Sequence, residues 1–308
     1  MHIYLPIAEM SVSVLLYLGM GAAIGFLSGL FGVGGGFLLT PLLILSGVPS
    51  SVAVGTGTAQ IVASSVSGAV AQYQRNNVDV KMGLVLLAGG IAGSVIGVQI
   101  VRILRQLGQF DFFIAMCYVL FLGVIGVLMM IESLSAIRSA RAGRAASGRS
   151  PGQHSWVHGL PLKMRFQRSK LYISAVPPVL IGAFTGFLAA IMGAGGGFIM
   201  VPAMIYLLRV PTSVAIGTSL FQIVFVTAAT TLLHATLNRS VDIVLALILI
   251  VSGVLGAQFG ATAGARLKAE QLRFLLAALV LLVCLRFAWD LVVKPDELYS
   301  IGSMAGRL

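Results

Sequence analysis

Charge is what this sequence has least of: only 9% of its 308 residues are charged, and acidic residues number 9. Soluble domains carry roughly one quarter charged residues, so a water-soluble globular chain is excluded. The mean hydropathy of +1.02 points the same way. Runs such as 78–103, charged only near their ends, exceed the ~18 apolar residues that mark a spanning helix. Hydrocarbon cannot satisfy backbone N–H and C=O groups, so spans must be helices or a closed barrel, and these non-alternating runs fit helices.

Cysteine is also scarce. Cys117 and Cys284 are the two present, each inside an apolar run, where a free thiol behaves as a small hydrophobe. A disulfide framework is thereby excluded. Catalytic and metal-binding signatures are missing too: no HExxH, GxSxG, CxxC or Walker motif occurs, and no pair of carboxylates lies deep inside a span. The chain is expected to be no enzyme and to need no cofactor or metal. Ser64 or Ser219 paired with His234 is the residual catalytic reading. The N-terminus has no basic n-region and carries Glu9, so 11–31 reads as a first span and not as a signal peptide.

The formal charge of +11 raises nucleic acid as a partner, but its distribution argues for topology instead. Arg138, Arg141, Arg144, Arg149, Lys163, Arg165, Arg168 and Lys170 cluster in mid-chain, and no acidic residue stands between Glu132 and Asp242. That is the positive-inside signature of a cytoplasmic loop. A site for anionic lipid or a protein partner is the alternative reading of the same charges.

The most informative feature is internal repetition. Gly-Val-Gly-Gly-Gly-Phe-Leu-Leu-Thr-Pro at 32–41 recurs as Gly-Ala-Gly-Gly-Gly-Phe-Ile-Met-Val-Pro at 193–202, and Val-Pro-Ser-Ser-Val-Ala-Val-Gly-Thr at 48–56 recurs as Val-Pro-Thr-Ser-Val-Ala-Ile-Gly-Thr at 210–218. Gln60-Ile-Val matches Gln222-Ile-Val, Val78-Asp79 matches Val241-Asp242, and Gly90, Gly93 and Gly97 match Gly253, Gly256 and Gly260. The expected organisation is a first transmembrane repeat at 1–134, a basic cytoplasmic loop at 135–170, a second repeat at 171–294 and a C-terminal tail at 295–308.

Within each repeat the apolar runs predict helices at 11–31, 37–46, 50–72, 81–103 and 110–133, echoed at 172–192, 198–208, 212–237, 241–265 and 271–293. The short second members are too brief to cross ~30 Å of hydrocarbon and read as broken or re-entrant pieces. The fold class is therefore an all-α polytopic membrane protein of about eight full spans plus two short segments. Placing Arg75, Lys81, the central loop, Arg209, Arg266, Lys268 and Arg273 on one side implies an odd number of crossings per half, hence inverted repeats. Four crossings per half would leave the repeats parallel.

Gly34, Gly35 and Gly36, with Gly195, Gly196 and Gly197, sit where a helix meets a short apolar piece. Each glycine costs a helix about 1 kcal/mol against alanine, so something requires bare backbone. An unwound glycine segment feeding a helix leaves unpaired N–H groups and a positive dipole end, a setting suited to an anion. Close helix packing is the competing explanation, and it is the preferred one for the GxxxG pairs Gly93/Gly97 and Gly256/Gly260. Pro41, Pro49, Pro202 and Pro211 read as structural helix breaks, Pro49 and Pro211 fitting first turns. Thr56, Thr58, Thr218 and Ser219 offer uncharged hydroxyl donors, or satisfy their own helix carbonyls. Gln60 and Gln222 are matched buried amides, either interhelical partners or ligands. His234 is the one histidine placed within a span, and Asp79 and Asp242 read as N-caps.

These paired motifs resemble the TauE/SafE sulfite exporter family, whose members look like duplicated units with Gly-x-Gly-Gly-Gly-x4-Pro followed by Ala-x-Gly-Thr. Here the motifs are 32–41 with Ala53 to Thr56, and 193–202 with Ala215 to Thr218. The resemblance runs over nearly the whole chain apart from the basic loop and the tail. It implies a multi-pass protein of the cell membrane, by expectation the bacterial inner membrane, that transports a small sulfur-containing anion such as sulfite or a sulfonate. Coupling to an ion gradient is implied, since no nucleotide-binding element is present. The expected partners are that anion and the lipid bilayer, with no nucleic acid and with homo-oligomerisation left open. A passive anion channel on the same scaffold and a non-transporting membrane scaffold are the alternatives.

Overall fold

The computed structural model describes residues 2–31, 36–141, 163–166, 168–169, 171–264 and 269–292. Gly34 and Gly35, most of the basic loop and the C-terminal tail lie outside the described residues. The first half contains the strands β1 (His2–Leu5) and β2 (Met10–Ser13), then α1 (Val14–Phe31), α2 (Gly36–Leu45), α3 (Ser50–Gln74), α4 (Val80–Gln106) and α5 (Phe110–Arg141). The second contains β3 (Lys163–Phe166), β4 (Leu171–Ser174), α6 (Val176–Met192), α7 (Gly197–Tyr206), α8 (Thr212–Leu233) ending in a π-turn at His234–Asn238, α9 (Ile243–Gly264) and α10 (Ala269–Val292).

The helices match the sequence expectation closely, the main differences being the starts of α1 and α6 and the end of α5. The first residues of the expected spans at 11–31 and 172–192 belong to antiparallel hairpins, with Leu5 opposite Met10 and Phe166 opposite Leu171. Helix α5 runs on past 134 into the basic segment, and β3–β4 straddles its far boundary. Four stretches are long and apolar enough to cross a membrane, namely Val80–Gln106, Phe110–Ile131, Thr212–Asn238 and Ile243–Gly260. Helix α3 is as long, but its hydroxyl and amide side chains make it less apolar.

The distribution of polarity is that of a protein dissolved in lipid. Leu84, Ile96, Leu128, Leu247 and Phe259 are exposed, whereas Thr56, Thr58, Gln60, Thr218 and Gln222 are buried. Water is not the solvent for those outward faces, so polar groups gather inside, where backbone and other side chains pair them.

Close packing follows the glycines. Helix α1 lies on α9 and α4 lies on α6 in the two most extensive pairings. A Cβ at Gly256 would run into the Ala22 carbonyl, one at Gly93 into the Ala183 backbone, and one at Gly97 would sit 2.8 Å from the Phe187 carbonyl oxygen. Backbone contact of this kind accounts for the GxxxG spacing in van der Waals terms.

Helices α1 and α2 form a hairpin that returns to its starting end, since the Tyr17 hydroxyl lies 3.1 Å from Ser46 Oγ. Leu39 and Leu43 of α2 then pack with Leu5 and Val12 of the first β-hairpin. In the second half Met200, Met204 and Leu208 pack in the same way with Phe166 and Ile173. Helices α3 and α8 run antiparallel against each other: Thr58, early in α3, is 3.0 Å from Thr231, late in α8, while a Cβ on Gly68 would meet Leu220.

Candidate functional site

The heads of α2 and α7 meet inside the molecule. Helix α6 ends at Gly193 (φ +65°), the chain turns through Gly195 (φ +69°), and α7 begins after Gly196 (φ +67°). Three left-handed residues in four fit glycine, which carries no Cβ to strain there. Space forbids a side chain as well, because a Cβ at Gly196 would lie 2.7 Å from the Thr185 carbonyl oxygen.

From the other tip, Gly36 opens α2 against Ile61 of α3, and a Cβ at Gly195 would also touch Ile61, at 3.0 Å. Ile61 therefore stands between both tips. The residue after each glycine run is a phenylalanine, and Phe37 and Phe198 stack with ring centroids 5.3 Å apart. The carbonyls that end α6 are satisfied from the opposite half: Thr40 Oγ1 donates to Gly193 O at 3.1 Å, and the Tyr118 hydroxyl donates to Met192 O. Among the described residues, the N–H groups of Gly195, Gly196, Gly197 and Phe198 are given no acceptor. Successive free N–H groups at the head of a helix make an anion-receptive concavity.

The candidate hydroxyls have partners of their own. Thr56 Oγ1 accepts the Asp242 N–H at 3.1 Å, and Thr218 Oγ1 accepts the Asp79 N–H at 3.0 Å. Asp79 caps α4 through Met82 N and takes the Ser169 N–H and hydroxyl at 3.0 and 2.9 Å. Asp242 caps α9 through Val244 N and Leu245 N and takes Ile7 N at 3.0 Å. Each aspartate thus joins its own helix start to a threonine and a β-hairpin turn of the other half. Thr58 Oγ1 donates to Gly55 O at 2.7 Å and Ser219 Oγ to Ile216 O at 2.9 Å, the back-bonding habit of hydroxyls in apolar helices.

Gln60 and Gln222 are brought to separate junctions and not to each other. Gln60 Nε2 packs on Gly253 of α9, and Gln222 Nε2 on Gly90 of α4. Gln60 Oε1 is buried without a partner, as is the hydroxyl of Ser65 one turn along α3. Pro41 and Pro202 lie inside α2 and α7, while Pro49 and Pro211 stand at the N-caps of α3 and α8.

The sequence reading missed Phe37, Phe198, Thr40, Tyr118 and Ile61 as parts of this centre. The two phenylalanines had a signal, since they hold the same position after each glycine run; Tyr118 and Thr40 had none.

A profile of the family described as sulfite exporter TauE/SafE matches residues 17–287, a stretch that takes in both glycine tips and both aspartate junctions. The chain belongs to the TauE/SafE family. Relatives of this TauE/SafE protein include a probable membrane transporter protein of Xylella fastidiosa, 29% identical over 284 residues, 90% of this chain and 95% of that protein. The probable membrane transporter protein YjnA of Bacillus subtilis is 29% identical over 275 residues, 88% of this chain and 97% of its own length. The Arabidopsis thaliana sulfite exporter TauE/SafE family protein 3 is 29% identical over a shorter stretch of 102 residues, 33% of this chain and 21% of that protein. No solved structure matches the chain. Family and apolar helices together make it a multi-pass membrane transporter of the cell membrane.

Proposed function

We infer that this TauE/SafE chain is a secondary carrier of a small sulfur-containing oxyanion, sulfite or a sulfonate, working by alternating access between two inverted halves. The observation that carries the reading is the meeting of the heads of α2 and α7 deep in the protein, where the N–H groups of Gly195 to Phe198 find no acceptor among the described residues. Discontinuous helices of this kind present positive dipole ends at the midplane of many carriers. The antiparallel run of α3 against its counterpart α8 supports inversion, since equivalent helices point opposite ways.

Each half then contributes one re-entrant hairpin and three crossings, six crossings in place of the eight expected from run lengths. The ends sort by charge on this arrangement: Arg75, Lys81, Arg165, Arg168 and Arg209 gather at the end where α4 begins, which the positive-inside rule assigns to the cytoplasm. The sulfur chemistry comes from the family description, and the N–H cradle suits it because such groups bind oxyanions without a metal. Uptake of labelled sulfite into proteoliposomes tests the reading. Saturable flux competed by a small sulfonate supports it, and flux that rises linearly with concentration would make the protein a channel.

A further inference from the structure

A cavity where α4 ends, at the far end of that helix from Lys81, belongs to no part of the central site. Its volume is about 390 Å³, and Arg102, Arg105 and Gln106 from the end of α4 line it together with Leu237 and Asn238 of the π-turn. Both guanidinium groups are on exposed residues, and neither meets a carboxylate: among the described residues the one ion pair joins Arg286 to Asp290. Arg105 Nη1 donates to the Asn238 carbonyl at 2.7 Å, which holds that side chain on the π-turn. The π-turn ends α8, with Arg239 left-handed after it (φ +46°).

Behind this wall lies His234, fully buried. Its Nε2 is 3.0 Å from the Ala190 carbonyl oxygen, an acceptor only, so Nε2 carries a hydrogen. Its Nδ1 is 3.0 Å from Asn238 Nδ2, so the neutral ring accepts a hydrogen bond there. That arrangement leaves Asn238 Oδ1 buried with no donor. Turning the amide over places Oδ1 on Nδ1, which must then be a donor, so the ring becomes an imidazolium and Nδ2 becomes free to donate.

We propose that this cavity is an oxyanion-binding vestibule held by Arg102 and Arg105, and that filling it brings one proton onto His234 Nδ1 as the Asn238 amide turns over. The proton comes from solvent, no other bond is made or broken, and the anion and the proton each favour the other's binding. The inference deepens the carrier reading and rests on it for the use of the site, giving the anion an outer docking point and naming the proton as coupling ion. Arg105, held on the π-turn through the Asn238 carbonyl, is the nearest placed cation, and its charge opposes a proton on the ring until an anion neutralises it. Arg102 stands in the same helix and Arg239 follows the π-turn. Helix α6 offers the Ala190 carbonyl.

The test is equilibrium binding of sulfate and of methanesulfonate, neither of which takes up a proton near neutral pH, to the full chain in phosphatidylcholine nanodiscs. Binding should weaken about tenfold in an Arg102→Gln/Arg105→Gln double variant. In weakly buffered solution binding should draw in protons, more at about pH 5.5 than at about pH 7, and none in His234→Gln, whose amide still donates to Ala190. Equal binding in the double variant, or no binding of either anion, overturns the site; binding without proton uptake overturns the coupling. Repetition in phosphatidylglycerol separates the sources of oxyanion. Sulfate binding unchanged there supports a soluble ligand, and sulfate excluded there shows that a lipid phosphate fills the cavity and overturns the docking role. Because the assay needs no transport, failure of the carrier reading leaves its result readable.

Discussion

Phe37 and Phe198 stack at 5.3 Å between centroids with their planes 32° apart, and they are the first side chains after the two glycine runs. Both are buried, in one cluster with Leu38, Val54, Ile191 and Met192. A carrier whose halves rock about this centre must slide or part that pair in every cycle.

Tethering the pair should therefore stop transport. In a variant with Phe37→Cys and Phe198→Cys, and with Cys117 and Cys284 replaced by alanine, a short reducible thiol crosslinker is expected to abolish sulfite exchange, and reduction to restore it. Exchange that continues at the native rate in the crosslinked protein contradicts a moving interface at the tips.

Loss of either ring is costly in its own right. Phe198→Ala removes a packed aromatic and is expected to destabilise the protein by about 3 kcal/mol, read as a lower midpoint of thermal unfolding in detergent. Phe198→Leu should lose much less, since volume is nearly kept.

The junctions at Asp79 and Asp242 predict a graded series. Asp79→Ala breaks a helix cap and two bonds to Ser169 and should cost about 2–4 kcal/mol. Thr218→Val leaves the buried Asp79 N–H without an acceptor and should cost about 1–3 kcal/mol, whereas Thr218→Ser keeps the acceptor and should be nearly neutral. Unfolding midpoints of the three variants check the order. If Thr218→Ser folds normally but loses transport, the methyl-bearing side chain has a role in the substrate path that these bonds do not account for.

Glycine at the tip should be irreplaceable for structural reasons before any functional one. Gly196→Ala meets both a left-handed backbone and a Cβ contact at 2.7 Å, while Gly47, at φ +91°, has nothing within 4 Å of its built Cβ. Gly47→Ala is expected to cost about 1 kcal/mol, and Gly196→Ala several times more, visible as loss of folded protein in size-exclusion profiles. A bulky residue at Gly196 is accordingly a poor probe of substrate binding.

Local pattern made much of this legible and long-range pairing did not. Helix α3 begins at Ser50 as the Pro49 signal implies, and α4 starts after the Asp79 cap. The β-hairpins went unseen because strands of four residues, such as Lys-Met-Arg-Phe at 163–166, are too short for their alternation to stand out beside the long apolar runs that follow. Thr56 gave no hint that its partner lies 186 residues away at Asp242, since a hydroxyl in an apolar run looks the same whether it binds an anion, its own helix or a distant N–H. Gln60 and Gln222 were read as a matched pair, and the fold places them at equivalent but separate junctions, which only the packing of α3 on α9 and of α8 on α4 determines.

The most direct test of the account uses Gln60, whose buried Oε1 has no partner. An unsatisfied buried carbonyl costs about 1–3 kcal/mol, so Gln60→Leu should unfold at the same temperature as the native protein or higher. An oxyanion takes hydrogen bonds only from donors, so in the carrier reading this amide serves the anion's path through Nε2, the end that packs on Gly253. The measurement is counterflow of labelled sulfite into proteoliposomes preloaded with unlabelled sulfite, native and Gln60→Leu side by side. The native protein is expected to show a transient accumulation of label and a fully folded Gln60→Leu variant to lose it; no accumulation with the native protein, or equal accumulation in both, would contradict a carrier whose anion path includes Gln60.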